Sequence, residues 1–124
     1  MTPEGNSKME IKLRRGGTTY VIDVTGEMDL YNAFRLKDVV SGMIAKQIRE
    51  YVINLEKVEY MDSSGIGALL FVHAELKKRG MILRIANVKG AVKRVIELTK
   101  LSGYLPISAG IQDAIVDIMR TGSR

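Results

Sequence analysis

Residues 51–86 read YVINLEKVEYMDSSGIGALLFVHAELKKRGMILRIA, and this stretch decides the fold. Its two ends, Tyr51–Leu55 and Met81–Ala86, are short apolar runs of the kind found in central strands. Between them, Lys57–Asp62 is predicted as a loop. Ser63–Arg79 is predicted as a helix whose first half is apolar nearly all round and therefore largely buried. A strand, a helix and a strand of these lengths predict a parallel β–α–β unit.

The residues before this unit predict a hairpin. Met9–Leu13 alternates apolar and charged residues, and Thr19–Thr25 is rich in β-branched and aromatic residues. Gly16 and Gly17 between them are a turn signal. Gly26–Asp29 breaks the second strand.

A first helix is then expected to run to about Glu50. Asp29 or Asn32 could cap its start.

The residues after the unit predict a third helix over Ala91–Leu101 and a short edge strand over Tyr104–Ile107, which contains a proline. Ile111–Met119 has apolar residues at helical spacing and predicts a closing helix. The expected order is β-β-α-β-α-β-α-β-α. This order predicts one α/β domain, with helices packed against a mostly parallel mixed sheet of about five strands.

Functional residues of such a sheet gather in the loops at the carboxyl ends of its parallel strands. In this chain these loops are Gly26–Asn32, Lys57–Gly65 and Asn87–Ala91.

Length and composition limit the classes of function. The chain has 124 residues, enough for one domain, which we expect over residues 9–120 after a flexible tail over residues 1–8. The absence of cysteine excludes disulfides and thiolate metal sites, and a single histidine excludes a histidine-rich metal site. No apolar run reaches the roughly 20 residues of a membrane span, so we expect a cytoplasmic protein without a membrane partner. The net charge of +5 comes from scattered residues and predicts no direct nucleic-acid binding.

One loop contains a candidate chemical site. Residues 60–67, YMDSSGIG, combine a carboxylate, two hydroxyls and two glycines where a strand turns into a helix. The N-terminus of a helix offers unpaired N–H groups and a partial positive charge, which can accommodate a phosphate. From the residues alone, either Ser63 or Ser64 could carry that phosphate. The alternative is a purely structural role, in which Asp62 or Ser63 only caps the helix.

Enzyme motifs fit this loop poorly. The glycine spacing matches neither a dinucleotide-binding loop nor a Walker A loop. A serine nucleophile would need His73 as its base, but His73 lies ten residues further along the same helix, about 15 Å along the axis. We therefore expect no catalytic residue, no metal and no cofactor.

The stretch Met61–Gly67 resembles the M-D-S-S-G-x-G signature of STAS domains, especially the free-standing bacterial anti-sigma factor antagonists. Gly26–Asp29 is similar to that family's Gly-Glu-Leu-Asp turn. Val95–Ile107 is similar to its late helix and following strand. The resemblance extends from about Met9 to Met119, with Met28 and Ile66 replacing the usual leucines.

The resemblance implies a binding protein switched by phosphorylation of Ser63. An anti-sigma factor that is also a serine kinase would bind the unphosphorylated chain, release a sigma factor for transcription, and then phosphorylate Ser63. A serine phosphatase would reverse the modification. The residues expected to bind the partner are Asp29, Asp62, Ser63, Ser64, Gly65 and Ile66. The alternative is a STAS subunit of a larger signalling assembly or of a lipid-transport complex.

Overall fold

Five strands alternate with four helices over residues 8–122, the part of the chain that the structure, a computed structural model, describes. The strands are β1 Met9–Gly16, β2 Thr19–Met28, β3 Glu50–Met61, β4 Ile82–Ala86 and β5 Ile107–Ser108. The helices are α1 Ala33–Ala45, α2 Ser63–Lys78, α3 Gly90–Leu98 and α4 Ile111–Gly122. This order confirms the predicted β-β-α-β-α-β-α-β-α pattern.

The strands form one sheet in the order β1-β2-β3-β4-β5. β1 pairs antiparallel with β2, from Met9 opposite Gly26 to Gly16 opposite Thr19, and the other neighbouring strands pair parallel. The prediction of a mostly parallel mixed sheet with one antiparallel edge is confirmed. β5 forms the other edge and is shorter than predicted, since it begins only after Pro106.

The two faces of the sheet carry separate cores because side chains alternate along each strand. Ile53 on β3 faces the main core, to which α1, α2 and α3 contribute. Val52 faces a smaller core against α4, with Ala114 and Ile118. Helices on both faces therefore cover the central parallel strands, as their apolar sequence predicts.

Three strands extend further than the sequence analysis predicted, and β1 does so by a few residues to Gly16. β2 continues through Gly26 to Met28, and β3 continues to Met61, so the loop predicted over Lys57–Asp62 is wrong. The extensions of β2 and β3 pair with each other, and the register shifts twice along them. Gly26 has a φ of +97° and lies beside the second shift. This glycine therefore marks an irregularity within the strand rather than the end of the strand.

Two helices end earlier than predicted. α1 ends at Ala45, not near Glu50, because Gln47 adopts a φ of +64°, which a helix cannot continue. α3 ends at Leu98, and Lys100 has a φ of +60°. Most of the predicted flexible tail lies outside the described residues. Its last residue, Lys8, accepts a hydrogen bond from the Glu27 N–H at 2.8 Å.

Candidate functional site

The carboxylate of Asp62 caps helix α2. Asp62 has extended backbone angles and is the N-cap residue. Its Oδ1 accepts hydrogen bonds from the N–H groups of Ser64 at 2.8 Å and Gly65 at 3.4 Å. Aspartate is among the best N-cap residues because it satisfies N–H groups that have no partner inside the helix. Of the two residues predicted as possible caps of this helix, Asp62 fills that role.

The same carboxylate joins two of the loops that were expected to meet. Its second oxygen, Oδ2, accepts a hydrogen bond from the Leu30 N–H at 3.3 Å, and the Asp62 N–H donates to the Met28 carbonyl at 3.2 Å. The turn after β2 is therefore held against the start of α2. The third predicted loop contacts a different residue, since the Asn87 side chain donates a hydrogen bond to Asn54 at 2.9 Å.

Ser63 is the first residue of α2, and it is exposed. Within residues 8–122 its hydroxyl has no hydrogen-bond partner, because Asp62 performs the capping. Ser64 is half-buried. The fold thus leaves the Ser63 hydroxyl more accessible to a second molecule than that of Ser64.

Gly65 and Ile66 lie beneath the site rather than on its surface. Ile66 is only 5% exposed and belongs to the main core. A Cβ added to Gly65 would lie 2.5 Å from the Cγ of Met61 and 3.2 Å from the carbonyl oxygen of Met28. Both residues are buried in the free chain, and their binding to a partner stays a prediction. Their packing supports the loop that presents Ser63.

Asp29 and Asn32 stabilise the turn between β2 and α1. Asp29 Oδ1 accepts from the Tyr31 N–H at 2.9 Å, and Asn32 Oδ1 accepts from the Asp29 N–H at 2.9 Å. Asn32 Nδ2 also donates to the Glu27 carbonyl at 2.8 Å. Asn32 is the N-cap residue of α1 by position, but neither side chain caps the helix N–H groups. These bonds fix the turn that Asp62 contacts.

Several apolar side chains are exposed in the turn that Asp62 contacts and on helices α1 and α2, and the sequence analysis missed them. Leu30 is 70% exposed and Phe34 is 53% exposed on the α1 side, and Phe71 is 45% exposed on α2. The ammonium group of Lys37 lies 5.2 Å from the centre of the Phe71 ring and links the two helices. We call this surface the α1–α2 face and define it by its exposed residues, which are Leu30, Tyr31, Phe34, Ser63, Gly67 and Phe71.

The candidate base His73, further along α2, is engaged with an aromatic ring. His73 lies on α2 and packs edge-on against Tyr104, with ring centres 5.2 Å apart. Burial, and then the charge of Lys77, lower the pKa of His73. Residues 8–122 contain no group of acidic, histidine or cysteine side chains suited to a metal ion. Among the same residues, no helix has the length and apolar character needed to span a membrane.

Comparison with known proteins identifies the class. The family model described as STAS domain matches residues 10–114. The chain therefore belongs to the STAS domain family, as the loop signature and the strand order predicted.

Sequence relatives and solved structures indicate which members of the family the chain resembles. The chain is 31% identical over 93 residues to an anti-sigma-B factor antagonist of Staphylococcus aureus, which covers 75% of this chain and 86% of the relative. Among solved structures, it matches an anti-sigma factor antagonist from Mycobacterium paratuberculosis with a TM-score of 0.82 and 24% identity, over 95% of this chain and 97% of that one. It also matches the phosphorylated form of SpoIIAA from Bacillus, with a TM-score of 0.68 and 21% identity, over 89% and 99% of the two chains. The Staphylococcus aureus relative indicates the anti-sigma factor antagonist branch of the family, and the two solved structures share its fold.

Proposed function

We propose that this chain is an anti-sigma factor antagonist whose binding is switched by phosphorylation of Ser63. The unphosphorylated chain binds an anti-sigma factor that is also a serine kinase, and a sigma factor is released for transcription. Phosphorylation of Ser63 weakens this binding, and a serine phosphatase restores it. The chain contributes a phosphate acceptor and a docking surface in the cytoplasm, and no catalytic group.

The observation that carries this proposal is the free hydroxyl of Ser63 at the start of α2. A kinase needs a serine whose oxygen it can reach, and Ser63 is exposed while Ser64 is half-buried. The capping by Asp62, at 2.8 Å from the Ser64 N–H, relieves Ser63 of a structural role. Modification of Ser63 can therefore proceed without first breaking the helix start.

The surroundings of Ser63 support a protein partner. Leu30, Tyr31 and Phe34 are exposed on the same α1–α2 face as Ser63. Clusters of exposed apolar side chains, and aromatic ones in particular, are typical of surfaces that another protein covers. The names of the relatives supply the kind of partner, an anti-sigma factor, and SpoIIAA is a member of the same fold that exists in a phosphorylated form.

Phosphorylation in vitro tests the proposal. The purified chain is incubated with ATP and candidate anti-sigma factor kinases from its source organism, and the modified residue is located by peptide mass spectrometry. Wild type and Ser64→Ala should gain one phosphate, whereas Ser63→Ala should gain none and should still bind the kinase. Ser63→Asp should weaken binding only in part, because one charge imitates the nearly two charges of a phosphate poorly.

Two results would contradict the proposal. Equal modification of Ser63→Ala and wild type would move the site to another residue. Failure of every candidate kinase to bind or modify wild type would reject the antagonist function itself. Hydrogen exchange provides a further check, since phosphorylated wild type should keep the amide protection of the unmodified chain.

A further inference from the structure

Gly67 is a glycine that the fold of the free chain does not require. It lies in the second turn of α2 and is exposed. A Cβ added there would meet no atom within 4 Å, and the backbone is helical rather than left-handed. A glycine inside a helix destabilises it relative to alanine, because the backbone loses more conformational freedom on folding. The residue therefore carries a cost that the isolated chain does not offset.

Two other glycines near the ends of α2 do have a structural reason. Gly65 is buried, and a Cβ there would meet Met61 and the backbone of Met28. Gly80, beyond the end of the helix, has a φ of +71°, which favours glycine. Gly67 shares neither property.

The neighbours of Gly67 point to contact with another molecule. Ser63 lies one turn before it and Phe71 one turn after it, and both are exposed on the same side of the helix. The missing side chain at Gly67 leaves the α2 backbone uncovered between them. On the neighbouring helix, Phe34 in the first turn of α1 is also exposed, as is Tyr31 in the turn before it. The result is a stretch of bare helix backbone between an exposed hydroxyl and an exposed aromatic ring, adjoining the proposed phosphate acceptor.

We propose that Gly67 is a close-contact position for the anti-sigma factor, which seats an apolar side chain against the α2 backbone between Ser63 and Phe71. This inference rests on the proposed function and extends it from one residue to a surface. It also makes the contact continuous with Ser63, so that a phosphate would project into the edge of the same interface. A methyl group at residue 67 would fill space that only the partner uses.

The chain offers a matched control in Gly42. This glycine lies in the last turns of α1, is exposed, and would also place an added Cβ within 4 Å of no atom. It differs in position. Gly42 lies eight residues beyond Phe34, about 12 Å along α1. It is therefore far from the N-terminal end of α1, which adjoins the start of α2 at Ser63. Its exposed neighbours one turn away, Asp38 and Lys46, are charged.

The test compares wild type, Gly67→Ala and Gly42→Ala, each as the full chain. Their thermal unfolding is measured, together with their affinity for an anti-sigma factor kinase that phosphorylates wild type at Ser63. Both substitutions should raise the melting temperature, since alanine favours the helix. Gly67→Ala should weaken binding about tenfold or more, the size expected when a methyl group is forced into a packed contact. Gly42→Ala should bind as wild type does.

The outcomes separate the two proposals. If wild type binds and is phosphorylated but Gly67→Ala binds equally well, the close contact is refuted and the proposed function stands. If Gly67→Ala and Gly42→Ala weaken binding to the same extent, the effect comes from helix stiffness, and the contact is again refuted. If no anti-sigma factor kinase binds or modifies wild type, both proposals fall together.

Discussion

Replacement of Asp62 by alanine should destabilise the start of α2 and loosen the turn after β2. The carboxylate accepts from the N–H groups of Ser64 and Gly65 in the helix and from that of Leu30 across the loop. Alanine supplies none of these acceptors. The N–H groups of Leu30 and Ser64, which are exposed and half-buried, can then bond to water, whereas that of buried Gly65 loses only a long bond.

The size of the effect follows from the geometry of the three bonds. Loss of an aspartate N-cap costs about 0.5–2 kcal/mol, and the 2.8 Å bond from Ser64 accounts for most of it. The bonds from Gly65 and Leu30, at 3.4 and 3.3 Å, are long and add a few tenths of a kcal/mol at most. The unfolding free energy of Asp62→Ala should therefore fall by about 1–2 kcal/mol, small beside the ~5–15 kcal/mol typical of a domain.

Urea unfolding followed by circular dichroism measures this change. With a slope near 2 kcal/mol per M, the midpoint should fall by about 0.5–1 M. Asp62→Asn is the matched control, because asparagine caps a helix about as well as aspartate. It loses the ~0.3–1 kcal/mol of charge at the helix N-terminus and, since its Nδ2 cannot accept, the long bond from the Leu30 N–H. A midpoint for Asp62→Ala equal to that of wild type, or an equal loss in both variants, would refute hydrogen-bonded capping as the role of Asp62.

Two further predictions concern groups away from the site. Tyr51 is fully buried, its hydroxyl has no hydrogen-bond partner among the described residues, and burial raises its pKa to about 12. Tyr51→Phe should leave the unfolding free energy unchanged or raise it by up to ~1 kcal/mol. Tyr60→Phe, at an exposed tyrosine, is the control. A fall in the unfolding free energy of more than about 1 kcal/mol would show that the Tyr51 hydroxyl has a hydrogen-bond partner. Burial and the charge of Lys77 lower the pKa of His73 in the folded state. As the pH falls, His73 is therefore protonated in the unfolded chain before it is protonated in the folded chain. Stability should be constant above the ordinary histidine pKa of about 6.5 and fall as the pH drops below it. His73→Gln should abolish that slope in urea titrations between about pH 5.5 and 7.5, and a slope that persists in this variant would assign the effect to another group.

The order of the elements could be predicted because the hydrophobic pattern repeats with the correct period. Tyr51–Leu55 and Ile82–Ala86 are apolar since both faces of these strands are covered by helices. Ile111, Ala114 and Ile118 recur at helical spacing because only one side of α4 meets the sheet. Local sequence and tertiary packing agree in these elements, and such agreement makes a prediction from one chain reliable.

The extension of β2 and β3 could not be predicted, because it depends on pairing between distant residues. Glycine at position 26 is compatible with either the end of a strand or an irregularity within it. The choice follows from the partner strand, where Val58 lies opposite Gly26 and Met61 opposite Met28. Buried Val58 anchors a segment whose charged neighbours suggested a loop.

The site could be predicted as a loop but not as a surface. The types of residue at 62–65 indicated a capped helix start and a serine that could carry a phosphate. The geometry of Asp62 confirms the cap, and Ser63 is exposed. Residue type did not reveal that Ile66 is buried while Phe71, five residues later, is exposed. Both are large and apolar on one helix, and only the position of the sheet and of α1 distinguishes the buried side from the open one.

The position of Ser63 explains how one phosphate could switch binding without unfolding the chain. A phosphoserine there adds about −1.5 to −2 charge, which the helix N-terminus favours by only ~0.3–1 kcal/mol. Asp62 beside it is already bonded to the Ser64 N–H and repels the new charge, so the two effects nearly cancel in an exposed, hydrated site. A partner that covers the α1–α2 face would instead have to remove water from that charge, at a cost of several kcal/mol unless it supplies a cation. The same group would therefore be nearly neutral for folding and decisive for binding, so we expect phosphorylation of Ser63 to act at the interface.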